Sequence, residues 1–219
     1  MFNVYDKLTA RLLASGDYLW PLAIRLIMFW EFWTAGSKKL NGKNWFTDIP
    51  WADWQKGFPW PFSVIPPELN WLAATWGELA FSALLLFGLF TRFAALSLLV
   101  ITAVATAAVH WPAQWNGYAQ LWEGYLITSD GGGNFRLPLM FMVLLLPLVF
   151  YGGGKLSLDM LLLKFTGRDG GARDRIGDGI AAGLMFAILG VTTIFLETSW
   201  GITFLVLAVI SALASTFRR

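Results

Sequence analysis

The residues in this chain that could do chemistry are charges set inside apolar runs. PLAIRLIMFWEFWTAG (21–36) carries Arg25 and Glu31, and WGELAFSALLLFGLFTRFAAL (76–96) carries Glu78 and Arg92. A charge at bilayer depth costs roughly 2.5–3.5 kcal/mol on insertion scales, so each is expected to face protein or a wet cavity. Glu78 with Arg136 reads in two ways: as a group that handles a proton or a quinone, or as an ion pair that fixes helix register. His110, the one histidine, could bond a quinone or ligate copper; equally it could close a helix on a backbone carbonyl. Met28, Met140, Met142, Met160 and Met185 offer soft sulfur suited to Cu(I), but their scatter reads better as apolar core, so no metal site is assigned.

Composition says what must position these groups. Of 219 residues, 57% are hydrophobic and 14% charged, where a soluble domain is nearer a quarter charged. The outer surface therefore cannot all face water. A net charge of +2 without a basic stripe gives no reason to expect nucleic acid. Cysteine is absent, which removes disulfides, Cys-ligated zinc, iron–sulfur clusters and dithiol redox chemistry. One histidine cannot ligate a haem from both sides, so haem is not expected either.

Hydropathy places candidate membrane helices at about 20–36, 70–90, 92–110, 136–151, 179–197 and 200–217, each near the length that crosses a hydrocarbon core. Residues 1–19 read as an amphipathic segment without the apolar core of a cleavable signal. With the N-terminus inside, the inner side collects Lys7, Arg11, Arg92, Lys155, Lys164, Arg168, Arg173, Arg175, Arg218 and Arg219. The outer side receives Lys38, Lys39, Lys43, Lys56 and Arg136. That bias puts both termini in the cytoplasm and makes the number of spans even. Six is the expected number, or four if the last hairpin lies in the interface.

Span one runs outward and span two inward, so Glu31 and Glu78 fall within a few ångströms of the same depth at roughly 1.5 Å per residue. Glu31 and Lys38 share a helix face, whereas Arg25 and Glu31, about 240° apart, do not. His110 ends span three and Arg136 opens span four on the outer side. The expectation is an outer pocket of Glu31, Lys39, Glu78, His110 and Arg136, with Arg25, Arg92 and Asp159 on the inner side. Its roof would be the aromatic loop 41–70, where NWFTDIPWADWQKGFPWPFSVIPPELNW (44–71) is too rich in indole for an ordinary solvated loop. Tryptophan favours the headgroup layer, so plain interfacial anchoring is the alternative. Five prolines exclude one long helix there.

Three stretches resemble the DoxX family of membrane proteins: AGSKKLNG (35–42), ELAFSALLLFGLFTRFAAL (78–96) and GGGKLSLD (152–159). The residues matching the family pattern are Arg25, Gly36, Lys39, Glu78, Gly88, Arg92, Gly154, Ser157 and Asp159. VHWPAQW (109–115) and GNFRLPL (133–139) further resemble the HvfX subgroup, whose members accompany maturation of copper-binding ribosomal peptides. The resemblance implies a four-helix membrane bundle over residues 20–165. It also implies one of two roles: an accessory membrane partner, or a subunit of a quinone-linked oxidoreductase with a quinone-facing cavity. Peptide-modifying enzymes or redox subunits are then the candidate protein partners, and quinone the candidate cofactor.

The glycine runs 131–133 and 152–154 follow no strand and read as turns, not phosphate loops. Ser157 suits an N-cap and Asp159 the first turn of a surface helix over about 157–165. Small residues, Thr102, Ala103, Thr106 and Ala107 in span three and Gly183, Ala187 and Gly190 in span five, allow close backbone approach. Residues 166–178 read as a cytoplasmic linker and 179–219 as a helical hairpin. The expectation is an all-α, polytopic protein of the bacterial inner membrane: a four-helix DoxX-like bundle plus a C-terminal transmembrane hairpin, in contact with the lipid bilayer. Its leading role is an accessory one in copper-peptide maturation or metal stress. A quinone-dependent oxidoreductase subunit is the rival, and a small-solute or metal transporter the third reading. No side chain is assigned a catalytic role, and whether the chain is an enzyme is left open.

Overall fold

The computed structural model describes residues 2–41, 55–112, 117–125, 134–167 and 178–216. Every regular element among them is helical. The helices are α1 (Phe2–Asn41), α2 (Pro67–Phe87), α3 (Thr91–Ala105), α4 (Tyr118–Tyr125), α5 (Arg136–Tyr151), α6 (Leu158–Phe165), α7 (Asp178–Thr193) and α8 (Thr198–Thr216). Three described helices, Val4–Asn41, Pro67–Phe87 and Thr91–His110, are long and apolar enough to cross a membrane. Arg136–Tyr151, Gly179–Thr193 and Thr198–Ala214 are apolar but shorter. The amphipathic segment at 1–19 is continuous with the first span, since α1 runs unbroken from Phe2. The glycine run 131–133, most of the linker and Trp45, Trp51 and Trp54 lie outside the described residues.

The chain divides into two compact units. The first comprises residues 1–43, 72–99 and 141–171. Its interior is small and tightly filled: Met28, Leu85, Ala94, Ala95, Leu145 and Leu148 are fully buried. Pro21 lies inside α1, and a proline cannot donate to the carbonyl four residues before it. That carbonyl is on Asp17, and the backbone N–H of Lys155 donates to it at 3.0 Å. The turn 152–156 can come this close because of Gly154. It holds φ +74°, and a Cβ there would lie 2.7 Å from both the Asp17 oxygen and Pro21 Cγ. Gly36 plays the same part between α1 and α2, where a Cβ would sit 2.8 Å from Leu79 Cγ.

The second unit comprises residues 44–71, 100–140 and 172–219. Within its described part, the aromatic loop folds around one buried amide. Gln55 Nε2 donates to the carbonyls of Phe62 (2.8 Å) and Ile65, and Asn70 Nδ2 approaches Phe62 O at 3.4 Å. Phe58 and Phe62 set their rings edge-on to Phe195, at 5.7 and 5.1 Å, so these aromatics pack on the turn that joins α7 and α8. Trp60 stays exposed. The α7–α8 hairpin closes at its small residues: a Cβ on Gly190 would lie 2.7 Å from Leu205, and one on Gly183 3.0 Å from the Ala208 oxygen. At its far end α3 continues as a π turn, Thr106–His110, in which Trp111 N–H reaches the Thr106 carbonyl at 2.8 Å. Trp111 itself is extended, as the residue before Pro112 should be.

Gly88, at the corner between α2 and α3, has φ +64°, and a Cβ there would meet Arg25 Cζ at 2.7 Å. Gly88→Ala should therefore lower stability by more than the roughly 1–2 kcal/mol that a left-handed conformation costs an L-residue. Gly57→Ala, with open space around it, should stay within about 0.5 kcal/mol of the parent. Thermal unfolding in detergent compares the two.

Candidate functional site

Lipid gives the last carbonyls and first N–H groups of a helix no partner, so the protein must supply one. In the first unit Arg25, only 2% exposed, supplies it at one end of α2. Its Nε donates to Leu85 O at 2.7 Å and its Nη2 to Leu86 O at 2.7 Å. Its Nη1 reaches Gly153 O at 3.0 Å and Leu156 O at 2.7 Å, in the turn after α5. One planar fork thus joins α1, the end of α2 and the 152–157 turn, which a lysine's single nitrogen could not do.

Asp159 does the complementary work. Its carboxylate accepts from the N–H groups of Phe90 (2.7 Å) and Thr91 (2.8 Å), the exposed start of α3. Its own N–H donates to Gly88 O at 2.9 Å. Phe90 has φ +47°, a conformation unfavourable for a phenylalanine, and the carboxylate holds it there. Asp159 lies in the first turn of α6, as expected, and its carboxylate also serves the start of α3. Ser157 is the N-cap of α6, as expected, its Oγ accepting from Met160 N–H at 3.2 Å. Arg92 caps α5, donating to Val149 O at 3.0 Å and to Phe150 O. The three inner-side candidates are thus each spent on helix ends.

The other polar centre of this unit has spare capacity. Lys39 Nζ donates to Glu78 Oε1 in an ion pair whose side chains are 16% and 5% exposed. Glu78 Oε2 is buried and has no hydrogen-bond partner. Thr75, one helical turn earlier on α2, is also buried, and its Oγ1 has none either. Residues three apart on a helix are neighbours, so an acceptor and a hydroxyl lie side by side next to the lysine. Buried polar atoms are normally satisfied, so these two, like Thr91 Oγ1 at the start of α3, are atoms in want of a partner; only here, among the described residues, do two of them stand one helical turn apart.

Of the five outer-pocket candidates, Glu31, Lys39 and Glu78 belong to the first unit, and Lys39 and Glu78 meet. Glu31 is exposed. His110 and Arg136 belong to the second unit. There Arg136 lies over the Tyr125 ring at 5.0 Å, and buried His110 Nδ1 has no hydrogen-bond partner. Thr75 was not among the sequence candidates; its place one turn before Glu78 was the signal that could have found it. Among the described residues, no three His, Cys, Asp or Glu side chains gather as metal ligands.

The DoxX family model matches residues 20–111, a segment that holds Arg25, Gly36, Lys39, Glu78, Gly88 and Arg92 together. An uncharacterized protein of Haemophilus influenzae (strain ATCC 51907 / DSM 11121 / KW20 / Rd) is 41% identical over 143 residues, 65% of this chain and 83% of that protein. The chain belongs to the DoxX family. It is a membrane protein of that family, and the matched segment holds Arg25, Lys39, Glu78 and Arg92 but ends before the 152–159 turn that completes the Arg25 centre. No solved structure matches it.

Arg25→Ala should strip four buried or half-buried carbonyls of their donor and cost this DoxX protein about 3 kcal/mol or more, since each orphaned buried group costs about 1–3 kcal/mol. Arg25→Lys should recover only part of that. Arg92→Ala, at an exposed helix end, should cost no more than about 1 kcal/mol. Denaturant melts in a fixed detergent rank the three; a parent-like Arg25→Ala would mean that water reaches those carbonyls.

Proposed function

We propose that this DoxX-family protein is an accessory component of the bacterial inner membrane, serving maturation of copper-binding ribosomal peptides or metal-stress response, and that it binds a quinone-type headgroup at Lys39, Glu78 and Thr75. The observation that carries the binding part is the pair of buried, unpartnered polar atoms, Glu78 Oε2 and Thr75 Oγ1, with the half-buried Lys39 ammonium on the same carboxylate. Both forms of such a headgroup fit that set. A quinone carbonyl accepts from Lys39 or Thr75, and a hydroxyl of the quinol donates to the carboxylate. The accessory role is supported by the HvfX-like stretches VHWPAQW (109–115) and GNFRLPL (133–139). It is also supported by the use of Arg25, Arg92 and Asp159 as scaffold. A chain without cysteine has no thiol of its own to carry electrons.

The layout that goes with this reading has six spans, both termini in the cytoplasm and the hairpin 179–219 appended to the bundle 20–165. Its support is the placing of Lys and Arg. Glu31 in the first unit, and His110 and Arg136 in the second, remain proposed functional residues of the outer side, as Arg25, Arg92 and Asp159 are of the inner side. The rival reading, a membrane subunit of a quinone-dependent oxidoreductase, draws on the same unpartnered atoms, because a carboxylate placed against a quinol oxygen can take its proton.

Full-length protein purified in mild detergent should retain quinone near one per chain, measured by solvent extraction and chromatography. Glu78→Gln and Lys39→Met should each lower retention about tenfold, the effect of losing one charged hydrogen bond in a dry site. Retention unchanged in both variants would remove the site. Co-purification of peptide-modifying enzymes on affinity capture supports the accessory role; quinol oxidation by the captured complex would instead support the oxidoreductase.

A further inference from the structure

The short helix α6 (Leu158–Phe165) is held at one end and uncovered along its length. Its start is fixed by the Ser157 cap and by Asp159 bonding the α2–α3 corner. Yet no residue of the helix is buried. Leu158, Leu161, Leu162 and Phe165 follow the i, i+3, i+4, i+7 spacing of one helix face, and all four are exposed, Phe165 at 80%. Four large apolar side chains in a row on an anchored helix of a membrane protein fit the acyl boundary of a leaflet better than water.

Beside this stripe lies an open groove of about 350 Å³. Phe87, Leu158 and Leu161 give it an apolar floor, and Lys155 and Lys164 stand on its rim. Lys155 is already steered: its Nζ lies 3.2 Å from Asp17 Oδ2 and 4.9 Å from the centre of the Tyr18 ring. Lys164 lines the same groove and is exposed. The groove therefore combines an apolar lining with two lysines, of which Lys155 is shared with Asp17. Long lysine stems keep their charge in the headgroup layer while their carbons lie on apolar surface.

We infer that α6 lies flat in the membrane interface and that its groove binds an acidic phospholipid, whose phosphate meets Lys155 and Lys164 while an acyl chain lies along Phe87, Leu158 and Leu161. The charge of the rim selects the headgroup, and the stripe 158, 161, 162 and 165 sets the depth at which it is met. This site is separate from the Lys39–Glu78 centre and does not depend on it.

The experiment is native mass spectrometry of the full chain in detergent with added phosphatidylglycerol or phosphatidylcholine. The parent should retain phosphatidylglycerol about tenfold better, as two lysines near an anionic headgroup imply. Lys155→Gln/Lys164→Gln should bring the two lipids to parity. Lys164→Gln alone, which leaves the Asp17 pair in place, should lose about half of the logarithmic preference with an unchanged melting temperature. Equal retention of both lipids by the parent would overturn the inference, as would a preference that survives the double substitution. Displacement of the lipid by inorganic phosphate alone would likewise overturn it, since the groove would then be a free-phosphate site.

Discussion

A helix that ends within or near lipid must find its last hydrogen bonds inside the protein, and in this chain that duty falls on three charged side chains. Arg25 takes four carbonyls from two remote segments, Asp159 takes two N–H groups, and Arg92 takes the end of α5. The glycines around them are consequences of this constraint. Gly88 and Gly154 let backbone come within contact distance of the guanidinium and of Pro21, and a side chain at either would push the bonding groups apart. Charge in the apolar interior is tolerable here because every polar face of the arginine fork meets an oxygen.

The Lys39–Glu78 centre is built on the opposite plan. Its ion pair satisfies one carboxylate oxygen and leaves the other, with the Thr75 hydroxyl, unmatched. A purely structural pair gains nothing from an unmatched atom at that burial, since its desolvation is uncompensated. A centre that binds something is completed by its ligand.

Much of the fold was readable from the sequence, and the reasons are specific. Apolar runs of near-membrane length marked the three long helices, because hydrocarbon thickness dictates element length. Arg25 and Glu78 stood out as charges where charge is costly. Ser157 was recognisable as a cap because its side chain acts on backbone three residues away. The role of Arg25 was not readable: its acceptors are main-chain carbonyls 60 to 131 residues distant, and a carbonyl has no sequence signature. Asp159 does stand in the first turn of α6, as expected, but its bonds to the N–H groups of Phe90 and Thr91 were unreadable for the same reason. Thr75 was missed because threonines in apolar helices commonly bond their own backbone, as Thr106 does to Thr102. The described part of the aromatic loop was legible in composition but not in its centre, Gln55, an ordinary polar residue until two carbonyls close on it.

The span of the Arg25 contacts bears on biosynthesis. Ribosomes deliver α1 long before they deliver Leu156, whose carbonyl lies 131 positions downstream. While the chain is still emerging, the guanidinium has none of the acceptors that later neutralise its cost in hydrocarbon. Two of the four acceptors come with Leu85 and Leu86, and the set is complete only when the 152–157 turn has been made. Assembly order, not helix hydrophobicity alone, determines when these contacts close.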